Sequence, residues 1–270
     1  QVCIIGGGPA GSAAALQLTR LGVSCIMFEK ESIGGLLRQA NLVENYLGFP
    51  NGVRGQKLCS LIKSQIDNAD VEYLIEEVIN IDKNDFFEIK TKRRTVFSDY
   101  LILATGTKAL APDNLIIPNE LQDKIFTEVS NLEGICDKVI SIIGSGDAAF
   151  DYAINLSRTN TVNIFSRSNY FKALPVLIDR AKSNTNINLH TNVKLTNINS
   201  FNKEILLNCI DIHGEMNIYS DYLLFAIGRE PRLDLLNEKA YLLENENCYL
   251  IGDACNGKAR QSAIAAGNGI

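Results

Sequence analysis

Gly6-x-Gly8-x-x-Gly11 and, far downstream, Gly144-x-Gly146-x-x-Ala149 set small residues at a spacing with a defined use. In such a run the first glycine turns the chain tightly after a strand. The second lets backbone approach a pyrophosphate, and the third small residue lets the following helix pack closely. The helix N-terminus then offers N–H groups and the positive end of its dipole to phosphate oxygens. Glu29 ends the strand after the first helix, where a carboxylate can accept hydrogen bonds from ribose hydroxyls. No acid stands at the matching place after the second turn, which instead reads Ser166-Arg167, with Lys172 further on. A carboxylate there would repel a 2′-phosphate, whereas Ser, Arg and Lys can hold one. The chemistry expected is the binding of two dinucleotides, with NADP(H) favoured over NAD(H) at the second site.

These residues need strands and helices to aim them. Val2–Ile5, a helix running to about Arg20 and a strand over Ser24–Phe28 read as β-turn-α-β. The unit recurs as Val139–Ile143, Ala148–Ser157 and Val162–Phe165. The two repeats are too far apart to be halves of one small sheet, so they read as two nucleotide-binding domains. Apolar runs at Tyr222–Ala226 and Tyr249–Ile251 each end near a glycine, followed by Arg229 or Asp253. The alternating stretches Phe86–Lys92 and Glu204–Ile212 read as antiparallel hairpins.

The chain has 270 residues, 46% hydrophobic and 21% charged, with a net charge of -5. That length accommodates two cores, and the acidic balance argues against nucleic acid or an anionic membrane as partner. No apolar run reaches the roughly 18 residues of a membrane span. Gln1 leads straight into a strand, so the N-terminus reads as trimmed. The seven cysteines form no C-x-x-C and no zinc spacing, and no metal site is expected. Cys3 and Cys25 fall in apolar strands as small hydrophobes, and unpaired thiols point to a reducing cytoplasm. Cys136 and Cys255 read as ordinary thiols, His190 as structural, and His213 as a turn residue. No Ser/His/Asp or paired-carboxylate arrangement can be drawn, and hydride chemistry needs none, because the cofactors carry it.

Taken in order, further motifs point to one family. Ile4-Ile5-Gly6-Gly7-Gly8-Pro9-Ala10-Gly11, Glu29-Lys30, Gly34-Gly35, Val43-Glu44-Asn45-Tyr46 and Gly48-Phe49-Pro50 are joined by Ala104-Thr105-Gly106 and the second glycine turn. Ile227-Gly228-Arg229-Glu230-Pro231, Gly252-Asp253 and Arg260-Gln261-Ser262-Ala263 complete the set. Together they resemble the low-molecular-weight thioredoxin reductases over essentially the whole chain. The resemblance implies an α/β fold of two Rossmann-like, three-layer ββα domains, the second inserted in the first. An FAD domain would comprise 1–111 and 220–270, and an NAD(P)H domain 112–219. Hinges would lie at Thr107–Pro112 and Ser220–Tyr222, and the last helix would run past Ile270. The resemblance assigns FAD to Gly6, Gly8, Pro9, Ala10, Gly11, Glu29, Lys30, Gly35, Leu36, Asn45, Ala104, Thr105, Gly106, Gly252, Asp253, Arg260, Gln261 and Ser262. It assigns NADP to Gly144, Gly146, Asp147, Ala148, Ser166, Arg167, Lys172 and Gly228. A cytoplasmic homodimer is implied as well.

Three departures alter the function that follows. The family's C-x-x-C would fall at Phe126 and Val129, so no dithiol–disulfide shuttle of that kind is possible. The Gln after Gly34-Gly35 is Leu36 here. Of the basic motif after the second-domain strand, only Arg167 remains. Two relatives lack the cysteine pair. Ferredoxin–NADP reductases of this type add an aromatic on a C-terminal extension, whereas bacillithiol disulfide reductases carry a cysteine where this chain has Ala10. The reading is an FAD-dependent NAD(P)H oxidoreductase whose hydride passes from nicotinamide to flavin N5. Electrons then pass to an unidentified acceptor, either a small redox protein such as ferredoxin or a small molecule. The alternative is a catalytically silent FAD-binding sensor or scaffold.

Overall fold

The computed structural model describes residues 1–113 and 115–270. The chain divides into two compact units, Gln1–Lys108 with Glu230–Ile270, and Ala109–Arg229. Among the described residues the α-helices are α1 (Pro9–Arg20), α2 (Gly55–Asn68), α3 (Asp147–Leu156), α4 (Pro175–Lys182) and α5 (Ser262–Asn268).

The first unit is built on a parallel sheet in the order Cys248–Leu250, Tyr100–Leu103, Val2–Ile5, Cys25–Glu29, Tyr73–Ile75. Val2–Ile5 is buried at every position, as expected of a strand covered on both faces. Period-two alternation sorts its side chains. Cys3 and Ile5 join Ile26, Phe28, Leu101 and Leu103 against Ile81, Phe87 and Ile89 of an antiparallel sheet, Val78–Lys83, Phe87–Thr91 and Thr95–Ser98. Val2 and Ile4 join Cys25 and Met27 against Ala14 and Ala15 of α1 and Ile66 of α2. The result is three layers, with helices on one face and antiparallel strands on the other.

The second unit repeats this plan. Its parallel sheet runs Ile187–His190, Thr161–Phe165, Val139–Ile143, Tyr222–Phe225, Ile125–Phe126. Ile140, Ile142, Val162 and Ile164 pack on Phe150 and Ala153 of α3 and Ala181 of α4. Phe165, Leu223 and Phe225 face Ile198, Ile205 and Leu207 of a second antiparallel sheet, Lys194–Phe201, Glu204–Asp211 and Gly214–Ser220.

The expected boundary and hinge at 220 are corrected. Tyr222–Phe225 pairs in parallel with Ile140–Ile143, so it belongs to the second unit. Ser220 is buried and its hydroxyl lies 2.5 Å from that of Ser141, which leaves no freedom for a hinge. The chain passes between units at Thr107–Ala109 and Arg229–Pro231, which pair as a two-stranded ribbon. No helix among the described residues is long and apolar enough to cross a membrane.

Candidate functional site

The first glycine turn separates packing from ligand space. Gly6 has φ +108°, and a Cβ there would lie 2.3 Å from the Ala104 carbonyl oxygen. A Cβ on Gly11 would lie 1.9 Å from the Gly6 oxygen. Protein packing therefore demands both glycines. Gly8 differs. It caps α1 with φ -70° and ψ -176°, a conformation open to any residue, and an added Cβ would meet nothing within 4 Å. Packing does not demand glycine there; it serves as an N-cap and leaves room for a pyrophosphate to approach the backbone. Pro9 at the first helical position has no N–H to offer, and Ser12 donates to the Gly8 carbonyl, so the Ala10 and Gly11 N–H groups are those a phosphate can meet.

The neighbouring segments converge on this turn. Gly34 N–H donates to the Gly7 carbonyl at 2.8 Å, and a Cβ on Gly35 would lie 3.2 Å from Gly8 Cα. Gly252, at φ +70°, would place a Cβ 2.7 Å from that of Ala10, which sets Asp253 beside the turn. Ala10, Ala104 and Ala265 of α5 pack together, so the last helix docks on the first. Thr105 Oγ1 donates to the Arg232 carbonyl at 2.6 Å, and Arg232 N–H donates to the Gly106 carbonyl.

Glu29 is buried. Its Oε2 accepts from Gly7 N–H at 2.7 Å and its Oε1 from Glu31 N–H at 2.9 Å. Each oxygen keeps a further lone pair for a ribose hydroxyl. Lys30 is engaged elsewhere: its ammonium lies 2.8 Å from Glu31 and, by that hydrogen bond, holds the Glu31 carboxyl below its ordinary value. Asn45 Nδ2 donates to Gln261 Oε1 at 2.7 Å, which joins two expected flavin-end residues at the start of α5. Arg260 and Ser262 flank Gln261, and Leu36 is half-buried. A pinned acid, an open Gly8 and two unengaged helix N–H groups fit an FAD molecule.

In the second unit a Cβ on Gly144 would lie 2.5 Å from the Ala226 carbonyl oxygen, whereas one on Gly146 would meet nothing within 4 Å. Gly146 caps α3 at φ -97°, so here too packing does not demand the glycine and its bare backbone leaves room for a ligand. Asp147 and Ala148 open that helix, and Asp147 Oδ1 accepts from Leu174 N–H at 2.8 Å. Lys172 and Ala173 N–H both donate to the Ser145 carbonyl. The Lys172 backbone is thereby tied to the glycine turn, a connection with no local signal in the sequence. Arg167 and Lys172 are exposed. Ser166 is buried, and its hydroxyl donates to the Tyr170 carbonyl and accepts from Ser168 N–H. Ser166 thus shapes the loop, and Arg167 and Lys172 are the exposed charges beside it. Gly228 has φ +133° and its carbonyl accepts from Leu110 N–H at 3.0 Å. His190 stacks on Phe165 with centroids 4.7 Å apart, and burial lowers its pKa.

Phe126 and Val129, where the family's C-x-x-C would fall, are core positions. Val129 is buried in the second unit's helix-side core, and Phe126 packs on that core and stacks on Tyr222 at 6.3 Å. Between them Glu128 makes a two-armed ion pair with Arg229, at 2.7 and 3.1 Å. All seven cysteines are free, with only Cys136 and Cys255 exposed. Among the described residues no cluster of His, Cys, Asp or Glu could hold a metal ion.

The family profile described as pyridine nucleotide-disulphide oxidoreductase matches residues 1–267. A thioredoxin reductase of Chlamydia trachomatis is 30% identical, aligned over 99% of this chain and 89% of that protein. NADPH-dependent thioredoxin reductase 3 of Arabidopsis thaliana is 28% identical over the whole chain, which spans 56% of that relative's length. Among solved structures, T. acidophilum thioredoxin reductase superposes with a TM-score of 0.89 at 26% identity, covering 99% of this chain and 94% of that one. The bacillithiol disulfide reductase of Staphylococcus aureus shares the fold, with a TM-score of 0.82 at 18% identity over 100% of this chain and 95% of that one.

Proposed function

We propose that this chain, which belongs to the pyridine nucleotide-disulphide oxidoreductase family, is an FAD-dependent NAD(P)H oxidoreductase that passes electrons on without a C-x-x-C disulfide. Thioredoxin reductase-like flavoproteins are its kin. The observation that carries the reading is the pair of N-cap glycines, Gly8 and Gly146, which packing does not demand and whose open surroundings leave room for a dinucleotide at each helix start.

FAD, when bound, supplies the chemistry: it accepts hydride from a reduced nicotinamide and yields electrons to an acceptor. The chain's own residues bind and orient. Gly8, Ala10 and Gly11 hold the pyrophosphate, and Glu29 holds the adenosine ribose by the lone pairs that Gly7 and Glu31 leave free. Asp253 and the Asn45–Gln261 pair address the ribityl and flavin end. In the second unit Gly146 and the α3 N-terminus hold the nicotinamide nucleotide, with Arg167 and Lys172 on the 2′-phosphate of NADPH. Unit 1 is therefore the FAD domain and unit 2 the NADPH domain. Relative rotation of the units, a homodimeric state and a cytoplasmic location are carried over from the family resemblance.

Phe126 and Val129 support the disulfide-free route, because both side chains belong to a core. The acceptor in this reading is a small redox protein such as ferredoxin, or a small molecule. NADPH oxidation is followed with ferricyanide and, separately, with thioredoxin and insulin. Turnover with the one-electron acceptor alone is expected. Efficient thioredoxin reduction would refute the disulfide-free route, and no turnover with either would favour a silent flavoprotein.

A further inference from the structure

Gly35–Gln39 is a 3-10 turn that starts against the phosphate loop, as the Gly34–Gly7 hydrogen bond and the Gly35–Gly8 approach establish. In 3-10 geometry residues three apart eclipse one another. Leu37 and Ala40 share one face and pack with Val43, Val53 and Leu58. Arg38 folds back, its Nε donating to the Gly35 carbonyl at 3.2 Å and its Nη2 to the Ser32 carbonyl at 2.7 Å. The remaining face carries Leu36 and Gln39. There the side-chain oxygen of Gln39 is buried and accepts no hydrogen bond.

A buried acceptor left without a donor bears the full cost of its lost hydration, and native structures satisfy nearly all such atoms. The segment lies against the residues assigned to FAD. A pyrophosphate offers only acceptors and cannot satisfy a carbonyl oxygen. The adenosine ribose is already addressed by Glu29. The adenine amine is also a donor, but it lies beyond that ribose, whereas the Gly35–Gln39 turn leads on to Asn45 and its partner Gln261 at the flavin end. The donors on that side are the ribityl hydroxyls and the ring N3–H. We propose that Gln39 is an FAD-binding residue whose side-chain carbonyl accepts a hydrogen bond from the flavin half of the cofactor. Gln39 then stands one turn behind Leu36 and supplies an amide that the leucine cannot. This inference rests on the FAD reading above.

The test compares wild type, Gln39→Met and Gln39→Glu as apoprotein, titrated with FAD, with melting of each apoprotein measured alongside. Wild-type binding tests the FAD reading by itself; absence of binding there ends that reading before Gln39 is judged. Given wild-type binding, Gln39→Met, which keeps length but removes the acceptor, is expected to raise the FAD dissociation constant about tenfold. Its apoprotein should melt at or above the wild-type temperature, because the unsatisfied oxygen is gone. Gln39→Glu retains an acceptor oxygen and should stay within about threefold of wild type. Unchanged FAD affinity in Gln39→Met would overturn the proposal, as would a loss of affinity matched by an equal loss of apoprotein stability. With affinity lost as expected, a shifted visible flavin band in Gln39→Met identifies ring N3–H as the donor. An unshifted band identifies a ribityl hydroxyl.

Discussion

Replacing Gly8 by alanine should leave the apoprotein intact and cripple FAD binding, whereas the same change at Gly11 should do the reverse first. At Gly8 the backbone is ordinary and the new methyl meets no protein atom. Two small effects then oppose each other in stability. Glycine is the better N-cap, so alanine costs about 0.5–1 kcal/mol. Loss of glycine's unfolded-state freedom stabilises by about 0.4–1 kcal/mol. They cancel to within roughly 0.5 kcal/mol, the range of an ordinary surface change. The methyl projects instead into the space the pyrophosphate needs. Displacing it from one charge-assisted N–H contact removes about 1.5–3 kcal/mol, or roughly 10- to 100-fold in the dissociation constant at 1.4 kcal/mol per decade. At Gly11 the methyl would sit 1.9 Å from the Gly6 oxygen. Overpacking of that kind costs about 1–3 kcal/mol or more, a fall in melting temperature of at least about 3 °C. Apoprotein melting and FAD titration, run on both variants, separate the two effects. Wild-type FAD affinity in Gly8→Ala, or an apoprotein as damaged as Gly11→Ala, would refute the reasoning.

Arg167→Glu should lower kcat/KM for NADPH about tenfold or more while leaving NADH nearly unaffected, since it removes a charged contact that only the 2′-phosphate can use; steady-state kinetics with both nucleotides decide it. Phe126→Ala should destabilise the second unit by about 3 kcal/mol, the lower end for a large aromatic because the ring is only half-buried. Urea unfolding checks this, and a change within about 0.5 kcal/mol would mean the ring is no part of that core. Iodoacetamide on the native protein should label Cys136 and Cys255. It should spare Cys3, whose pKa burial pushes up to about 12, along with Cys209 and Cys248, which burial pushes up to about 11, because the thiolate is the reactive form. Peptide mapping by mass spectrometry reads the pattern.

Local rules made much of this molecule legible. Gly6, Gly11 and Gly144 signal turns through spacing alone, and the strands leading into them are apolar except at Ser141. Glu29 follows from its place at a strand end. The features that escaped depend on distant partners. Tyr222–Phe225 is an apolar run that could join either sheet, and only its pairing with Ile140–Ile143 moves the boundary to Arg229. Ser166 reads as a phosphate ligand by residue type, yet its neighbours Tyr170 and Ser168 take its hydroxyl. Glu128 and Arg229 are 101 residues apart, and nothing near either one announces the pair. The turn over Gly35–Gln39 has no apolar periodicity long enough to read, so the face shared by Leu36 and Gln39 emerges only from the backbone.

The central claim is that the chain binds FAD and that a reduced nicotinamide nucleotide reduces it. The direct test is anaerobic addition of NADPH to the FAD-loaded protein, with the visible flavin band followed in time. Prompt bleaching of the oxidised band is predicted. A band that persists in excess NADPH and in excess NADH would contradict it.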